Sequence, residues 1–163
     1  MKTRFVVLGL IFAAGAASAA SIDRSCMVQA CAPGEKAITY TTKTEPYFAC
    51  PTRELASYTS MVLGIVYAQY NLTGTLPNIS DKTGEPEFLD ENGKPNQTRL
   101  MLDTMRSKAG VSSFDQATSA CAVGRNKVRV TILNNQKDDE VIYVHDEARN
   151  INYWVPSSSL DKR

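Results

Sequence analysis

The chain has 163 residues, enough for one domain with a sizeable core and too few for two comfortable ones. Charged residues make up 21% and hydrophobic residues 43%, which excludes wholesale disorder. A formal net charge of +1 excludes an overall electrostatic pull toward nucleic acid or an anionic membrane surface.

Residues 1–20 have the form of an export leader. Lys2 and Arg4 make a basic start, and 5–17 is a short apolar core. Ala17-Ser-Ala19 and Ser18-Ala-Ala20 then offer the small residues that a signal peptidase reads. The apolar run is too short to span a hydrocarbon core, and Cys26 lies too far down for lipoprotein spacing. Cleavage is expected near Ala19-Ala20-Ser21. Residues 21–163 then form one exported α+β domain, periplasmic or secreted, with no integral membrane segment. Loss of Lys2 and Arg4 takes the formal charge to −1.

Export gives the four cysteines their meaning. An even count in an oxidising compartment predicts two disulfides rather than metal ligands or a redox pair. Three pairings are possible. The short Pro/Gly-containing segment around Cys26 and Cys31 favours a local bridge, which leaves Cys50 with Cys121. Zinc would need closely spaced pairs with histidines, and His145 is the sole histidine. No metal and no cofactor are expected.

In chain order, 21–33 is polar and irregular, anchored by its own cysteines. Residues 36–42 alternate, with Ile38 and Tyr40 on one face and Thr39 and Thr41 on the other, which predicts a half-buried strand ended by Glu45-Pro46. The longest helix is predicted from Pro51 to about Tyr70, with Pro51 at its first position and Thr52 as the alternative cap. Leu55, Tyr58, Val62, Ile65, Val66 and Tyr70 recur at helical spacing. The polar face nearly vanishes over 61–68, so this helix is expected to be central and covered on several sides. Gly64 in its interior is unfavourable by about 1 kcal/mol against Ala unless another backbone packs there.

From 71 to 96 the composition turns to Gly, Pro, Asn and Asp. Asp81-Lys-Thr-Gly84-Glu-Pro86 is echoed by Asp90-Glu-Asn-Gly93-Lys-Pro95. The spacing does not fit a twelve-residue calcium loop, so two similar solvated turns are expected. Asn96 is the predicted cap of a second helix, 97–109, with Met101, Leu102 and Met105 on one side and Gly110 as its stop. Ser113-Phe-Asp-Gln116 reads as a capping box for a short third helix bearing Phe114, Ala117 and Cys121. The helical part is thus about 50–121.

After Gly124 the period changes from helical to two. Val128, Val130 and Ile132 alternate with Arg129 and Thr131. A polar hairpin loop follows at 134–139. Strand 140–145 carries apolar residues on both faces, and 152–155 ends at Pro156, which cannot donate to a ladder.

The motif Tyr153-Trp154-Val155-Pro156-Ser157-Ser158-Ser159-Leu160 resembles the end of an SH3-like domain. There an aromatic-Val-Pro-Ser strand enters one 3₁₀ turn closed by an apolar residue. The resemblance covers about the last 37 residues, and the SH3-like β part is taken as about 125–160. It implies an antiparallel meander on which the helices and strand 36–42 pack. No further strand is expected past Leu160, and 36–42 is looked to for the missing pairing. SH3-like modules of exported bacterial proteins bind peptides or cell-wall components and are rarely catalytic. The resemblance therefore implies a protein partner or cell-wall component, with ligand contacts on Tyr153, Trp154, Pro156 and Tyr143. The rival reading makes Tyr143 and Trp154 core aromatics.

A catalytic site is not expected. His145 is the sole imidazole, no serine sits in a nucleophile elbow, and all four thiols are assigned to disulfides. No phosphate loop, dinucleotide fingerprint or zinc-protease helix is present. The function expected is a periplasmic binding or accessory protein, such as an adaptor subunit of an envelope secretion or conjugation machine, or a cell-wall-associated binder. An inhibitor of an exported enzyme using the 71–96 loop is the alternative, and a small cell-wall hydrolase with a carboxylate pair is the last.

Overall fold

The structure, a computed structural model, describes residues 24–43, 45–89, 91–135 and 140–163. The predicted leader and most of the 134–139 hairpin loop lie outside these residues. The protein is α+β, with three helices packed on a five-stranded antiparallel sheet among the described residues. Strand β1 (Lys36–Thr39) is followed by β2 (Phe48–Ala49), then by α1 (Arg53–Thr73), α2 (Gln97–Lys108) and α3 (Phe114–Ser119). The chain then makes β3 (Ala122–Val123), β4 (Arg129–Asn134), β5 (Val141–Asp146) and β6 (Ile151–Pro156), a 3₁₀ turn at Ser157–Ser159, and β7 (Leu160–Lys162).

The sheet order is β6-β5-β4-β1-β7, and β2 pairs separately with β3. β4, β5 and β6 form the expected meander. β1 pairs with β4 on one side and with β7 on the other, Ile38 facing Arg129 and Asp161. A last strand therefore does follow Leu160. It is only three residues long, and Leu160 at its start is fully buried, so pairing and burial together hold a segment too short to show a period. Both outer edges of the sheet are covered locally. Cys50 exchanges two backbone hydrogen bonds with Trp154 on β6, at 2.8 and 2.9 Å, and the Cys26 amide donates to the Leu160 carbonyl on β7. Covering an edge in this way removes unpaired backbone groups that would otherwise template another strand.

The register of β1 reverses the expected facing. Ala37 and Thr39 are the buried residues, and Ile38 is only half-buried. Thr39 tolerates this because its hydroxyl is fully used: it donates to the Arg125 carbonyl at 2.6 Å and accepts from the Val128 amide at 2.9 Å.

Two hydrophobic clusters divide the core. One lies within the sheet, where Val130, Ile132, Ile142, Val144, Val155 and Leu160 pack together with Tyr47 and Tyr153. The other lies under the helices, where Leu55, Tyr58, Val62, Leu102, Ala117 and Val141 meet the half-buried Trp154 and Phe114. β5 feeds both, which is the physical reason its two faces are apolar. Each fully buried aliphatic side chain contributes about 1.5–3 kcal/mol of transfer free energy. The two expected disulfides are present, Cys26–Cys31 and Cys50–Cys121, and the second ties β2 and the entry of α1 to the end of α3.

Helix α1 starts two residues inside the predicted boundary. Thr52 is the cap, its hydroxyl accepting from the Leu55 amide at 3.3 Å, and Pro51 stays outside. The helix runs on to Thr73, where the Gly74 amide closes on the Tyr70 carbonyl at 2.8 Å. Its expected central position does not hold. Leu55, Ala56, Tyr58, Thr59 and Val62 are buried, whereas Tyr70 is 51% exposed and nothing lies within 4 Å of a Cβ placed on Gly64. Asn96 and Ser113 cap α2 and α3 as predicted. The Gln116 side chain departs from the box, accepting from the Ser112 amide and hydroxyl instead. On α2, Leu102 is buried while Met101 is 38% exposed, so the predicted apolar side is split.

The repeated Asp-x-x-Gly-x-Pro segments do form two similar turns. Gly84 and Gly93 both have positive φ, at 67° and 74°, and the turns are closed by Ile79 pairing with Pro86 and Leu89 with Pro95. They are not both solvated. Glu85 has no exposed surface; it accepts from the Tyr58 hydroxyl at 2.7 Å and pairs with Arg106 and Arg99 of α2. Asp103 bridges the same two arginines. The Phe114 amide also donates to the Thr83 carbonyl at 2.7 Å, so the first turn is bolted to all three helices.

Candidate binding groove

The exposed half of α1 forms one wall of a groove of about 720 Å³. Leu63, Gly64, Val66, Tyr67 and Tyr70 line that wall, with Leu76 beyond the helix end. They face it because the buried residues of α1 lie in its first three turns, packed against the sheet, α2 and α3, while the apolar side chains beyond and beside them are left without a covering element.

The opposite wall is built from the β1–β2 connection, where Tyr40, Thr41, Lys43, Glu45 and Pro46 line the groove. The Glu45 amide donates to the Thr42 hydroxyl at 2.9 Å, and the Thr41 hydroxyl donates to the Glu45 carbonyl at 3.1 Å, so Thr41 and Thr42 are tied to Glu45. The Tyr40 amide donates to the Ser159 carbonyl at 2.8 Å, joining the wall to the 3₁₀ turn. Pro156, Ser158, Ser159 and Asp161 close the end, beside Met27 of the Cys26–Cys31 loop. Tyr47 lies at the base, its hydroxyl donating to the Arg125 carbonyl at 2.9 Å and accepting from the Arg125 amide at 3.2 Å. Burial pushes its phenol up from the ordinary value. Burial also raises the Asp161 carboxyl, a shift that the charge of Arg24 only partly opposes.

The four residues singled out in the sequence fall in different places. Pro156 lines the groove. Tyr143 and Trp154 are cross-strand neighbours with ring centroids 5.0 Å apart, half-buried on the sheet face that carries the helices. Tyr153 is 5% exposed in the sheet cluster, with its phenol pushed up to about 12 by burial and by the nearby Tyr47. The guanidinium of Arg149 lies 5.7 Å from the centre of its ring. Alternation along β6 sends Tyr153 and Trp154 to opposite faces, so no ligand can contact both rings at once. The signal that marks the groove is the near loss of α1's polar face over 61–68, which adds Leu63 and Tyr67 beside the stripe residues Val66 and Tyr70.

A shallower recess of about 440 Å³ holds Arg125, Lys127 and Arg129 beside Asp146 and Glu147. Its acids already have partners. Asp146 is buried and pairs with Arg149 at 2.7 Å, and Glu147 pairs with Lys36. Burial alone would raise the Asp146 carboxyl, but the Arg149 guanidinium and the Arg149 and Ala148 amides outweigh it and hold it below the ordinary value. His145 shares a 2.7 Å hydrogen bond with Asn152. Among the described residues no group of three or more His, Cys, Asp or Glu is placed to hold a metal ion, and no helix is long and apolar enough to cross a membrane.

No protein-family model, curated protein or solved structure matches this chain.

Proposed function

We propose that this chain is an exported, non-catalytic binding or accessory protein that holds a protein partner in the groove between α1 and the 3₁₀ turn. One observation carries the reading: an apolar, tyrosine-bearing helix face is left open along one side of a concavity, facing a wall held by its own hydrogen bonds. Two disulfides suit an oxidising compartment and support export. The 3₁₀ turn at Ser157–Ser159, closed by the buried Leu160 and followed by β7, supports the SH3-like reading of the C-terminal part. Binding rather than catalysis is favoured because the two buried carboxylates, Glu85 and Asp146, are each neutralised by arginine instead of facing one another across a cleft.

A photocrosslinking amino acid at Tyr67, compared with one at Asn152 outside the groove, tests this in cells. A discrete adduct at Tyr67 that is absent at Asn152 is expected. Equal labelling at both positions, or none at Tyr67, removes the groove as the binding site.

The inhibitor reading keeps a specific footing of its own. Leu76, Ile79 and Leu89 are 66%, 47% and 54% exposed on a segment whose two turns are internally bridged, which suits a preformed inserting element. Replacing Ile79 and Leu89 by Ser abolishes partner capture on that reading and spares it on the first.

A further inference from the structure

Two features of the groove have no internal use. Gly64 sits in the middle of α1, where glycine is unfavourable, yet no atom comes within 4 Å of where its Cβ would be. A bare patch of helix backbone is useful where another chain must approach closely, and none in this domain does. Asp161 is the second feature. It is half-buried at the end of the groove, and while its backbone pairs with β1 and Ser25, its carboxylate has no hydrogen bond or ion pair among the described residues. Arg24 is close enough for its charge to act on it, but forms no ion pair with it. The carboxylate is thus partly withdrawn from water with no ion-paired cation among the described residues. Of the other charges lining the groove, Lys43 and Glu45 offset one another, so Asp161 sets the sign of the surface. Tyr67 and Tyr70 also line the groove, and an aromatic ring face attracts a cation rather than an anion.

We propose that the groove takes an apolar protein segment carrying a lysine or arginine, its backbone crossing α1 at Gly64 and its cation meeting Asp161. The inference rests on the groove being the binding site and adds what enters it. An acidic segment would meet an unpaired carboxylate, and a purely apolar one would leave that carboxylate buried without a partner.

The test uses the oxidised chain without its leader and a phage-displayed library of random twelve-residue peptides as the probe. The expected peptides carry Lys or Arg among apolar residues. Their affinity, read by fluorescence polarisation, should fall about tenfold in Asp161→Asn and further in Gly64→Leu, with thermal melts showing that both variants fold. Asp161→Lys should turn the selected consensus acidic. If peptides bind competitively at the groove but show no basic preference, or ignore Asp161→Asn, the inference is overturned and the groove reading survives. If selected peptides are indifferent to both Gly64→Leu and Tyr67→Ala, both fall together.

Discussion

Tyr58 of α1 donates its hydroxyl hydrogen to Glu85 Oε1 at 2.7 Å, across 27 positions of chain. The same carboxylate is gripped by Arg106 and Arg99 of α2, so one side chain from an irregular segment holds two helices together. Removing one partner of a buried charge cluster leaves the rest uncompensated. Glu85→Ala should therefore destabilise the protein by about 3 kcal/mol, reduced somewhat because Asp103 still faces both arginines. Tyr58→Phe, which deletes one hydrogen bond to a charged acceptor, should lose about 2 kcal/mol. Urea unfolding checks both. A change below about 0.5 kcal/mol for Glu85→Ala would mean that the segment is not anchored there.

Titration of the tyrosines should separate buried from exposed phenols. Burial raises Tyr47, Tyr58 and Tyr153, Tyr153 to about 12, and Tyr58 is pushed further by the facing Glu85. A phenol whose folded pKa lies above its unfolded value of 10.0 stabilises the fold fully below pH 10. That stability is lost as pH rises through the folded value. Absorbance at 295 nm should show part of the tyrosine signal delayed past pH 10 and released with unfolding; all seven tyrosines ionising together near pH 10 would contradict the burial described.

At the acid end the sign reverses. Asp146 is held below its ordinary 3.8, so its contribution is fully present above that value and lost as pH falls through the lower folded pKa. Asp146→Asn should be less stable than wild type at pH 7, and the gap should close as the pH approaches 2. A gap independent of pH would assign the effect to packing instead.

The two disulfides should differ in weight. On the chain-entropy view, Cys50–Cys121 with its separation of 71 contributes about 4 kcal/mol and Cys26–Cys31 with its separation of 5 about 2. Guanidinium midpoints of the Cys50→Ala/Cys121→Ala and Cys26→Ala/Cys31→Ala double variants provide the comparison. The short bridge proving the stronger would point to strain or residual structure that loop length does not capture.

Two glycines should respond in opposite directions. A Cβ on Gly124 would lie 2.5 Å from the Tyr47 ring, so Gly124→Ala should cost about 1–3 kcal/mol through displacement of a buried side chain. Gly64→Ala meets open space in a helix and should gain about 0.5–1 kcal/mol. Differential scanning calorimetry reads both, and equal effects would refute the contrast in packing.

Much of this architecture was legible because it is written in local chemistry. Thr52, Asn96 and Ser113 carry side-chain acceptors that satisfy free amides at a helix start, whatever surrounds them. Alternation of Val130 and Ile132 with Arg129 and Thr131, and apolar residues on both faces of β5, specify a strand and its layers. Spacing along the chain was enough for the two disulfides and the paired Gly84 and Gly93 turns.

What only the tertiary structure decided is what lies across space from each of these elements. Thr39 rather than Ile38 is buried in β1 because the Arg125 carbonyl and Val128 amide happen to meet its hydroxyl. Glu85, one acid among several in a polar segment, is buried because two arginines of α2 converge on it. β7 exists because β1 offers a free edge to three residues with no periodicity of their own. α1 carries apolar residues at helical spacing from Leu55 to Tyr70, and that stripe alone does not say where the domain ends. Its first half becomes core and its second half a groove wall because burial is a property of the neighbour as much as of the residue.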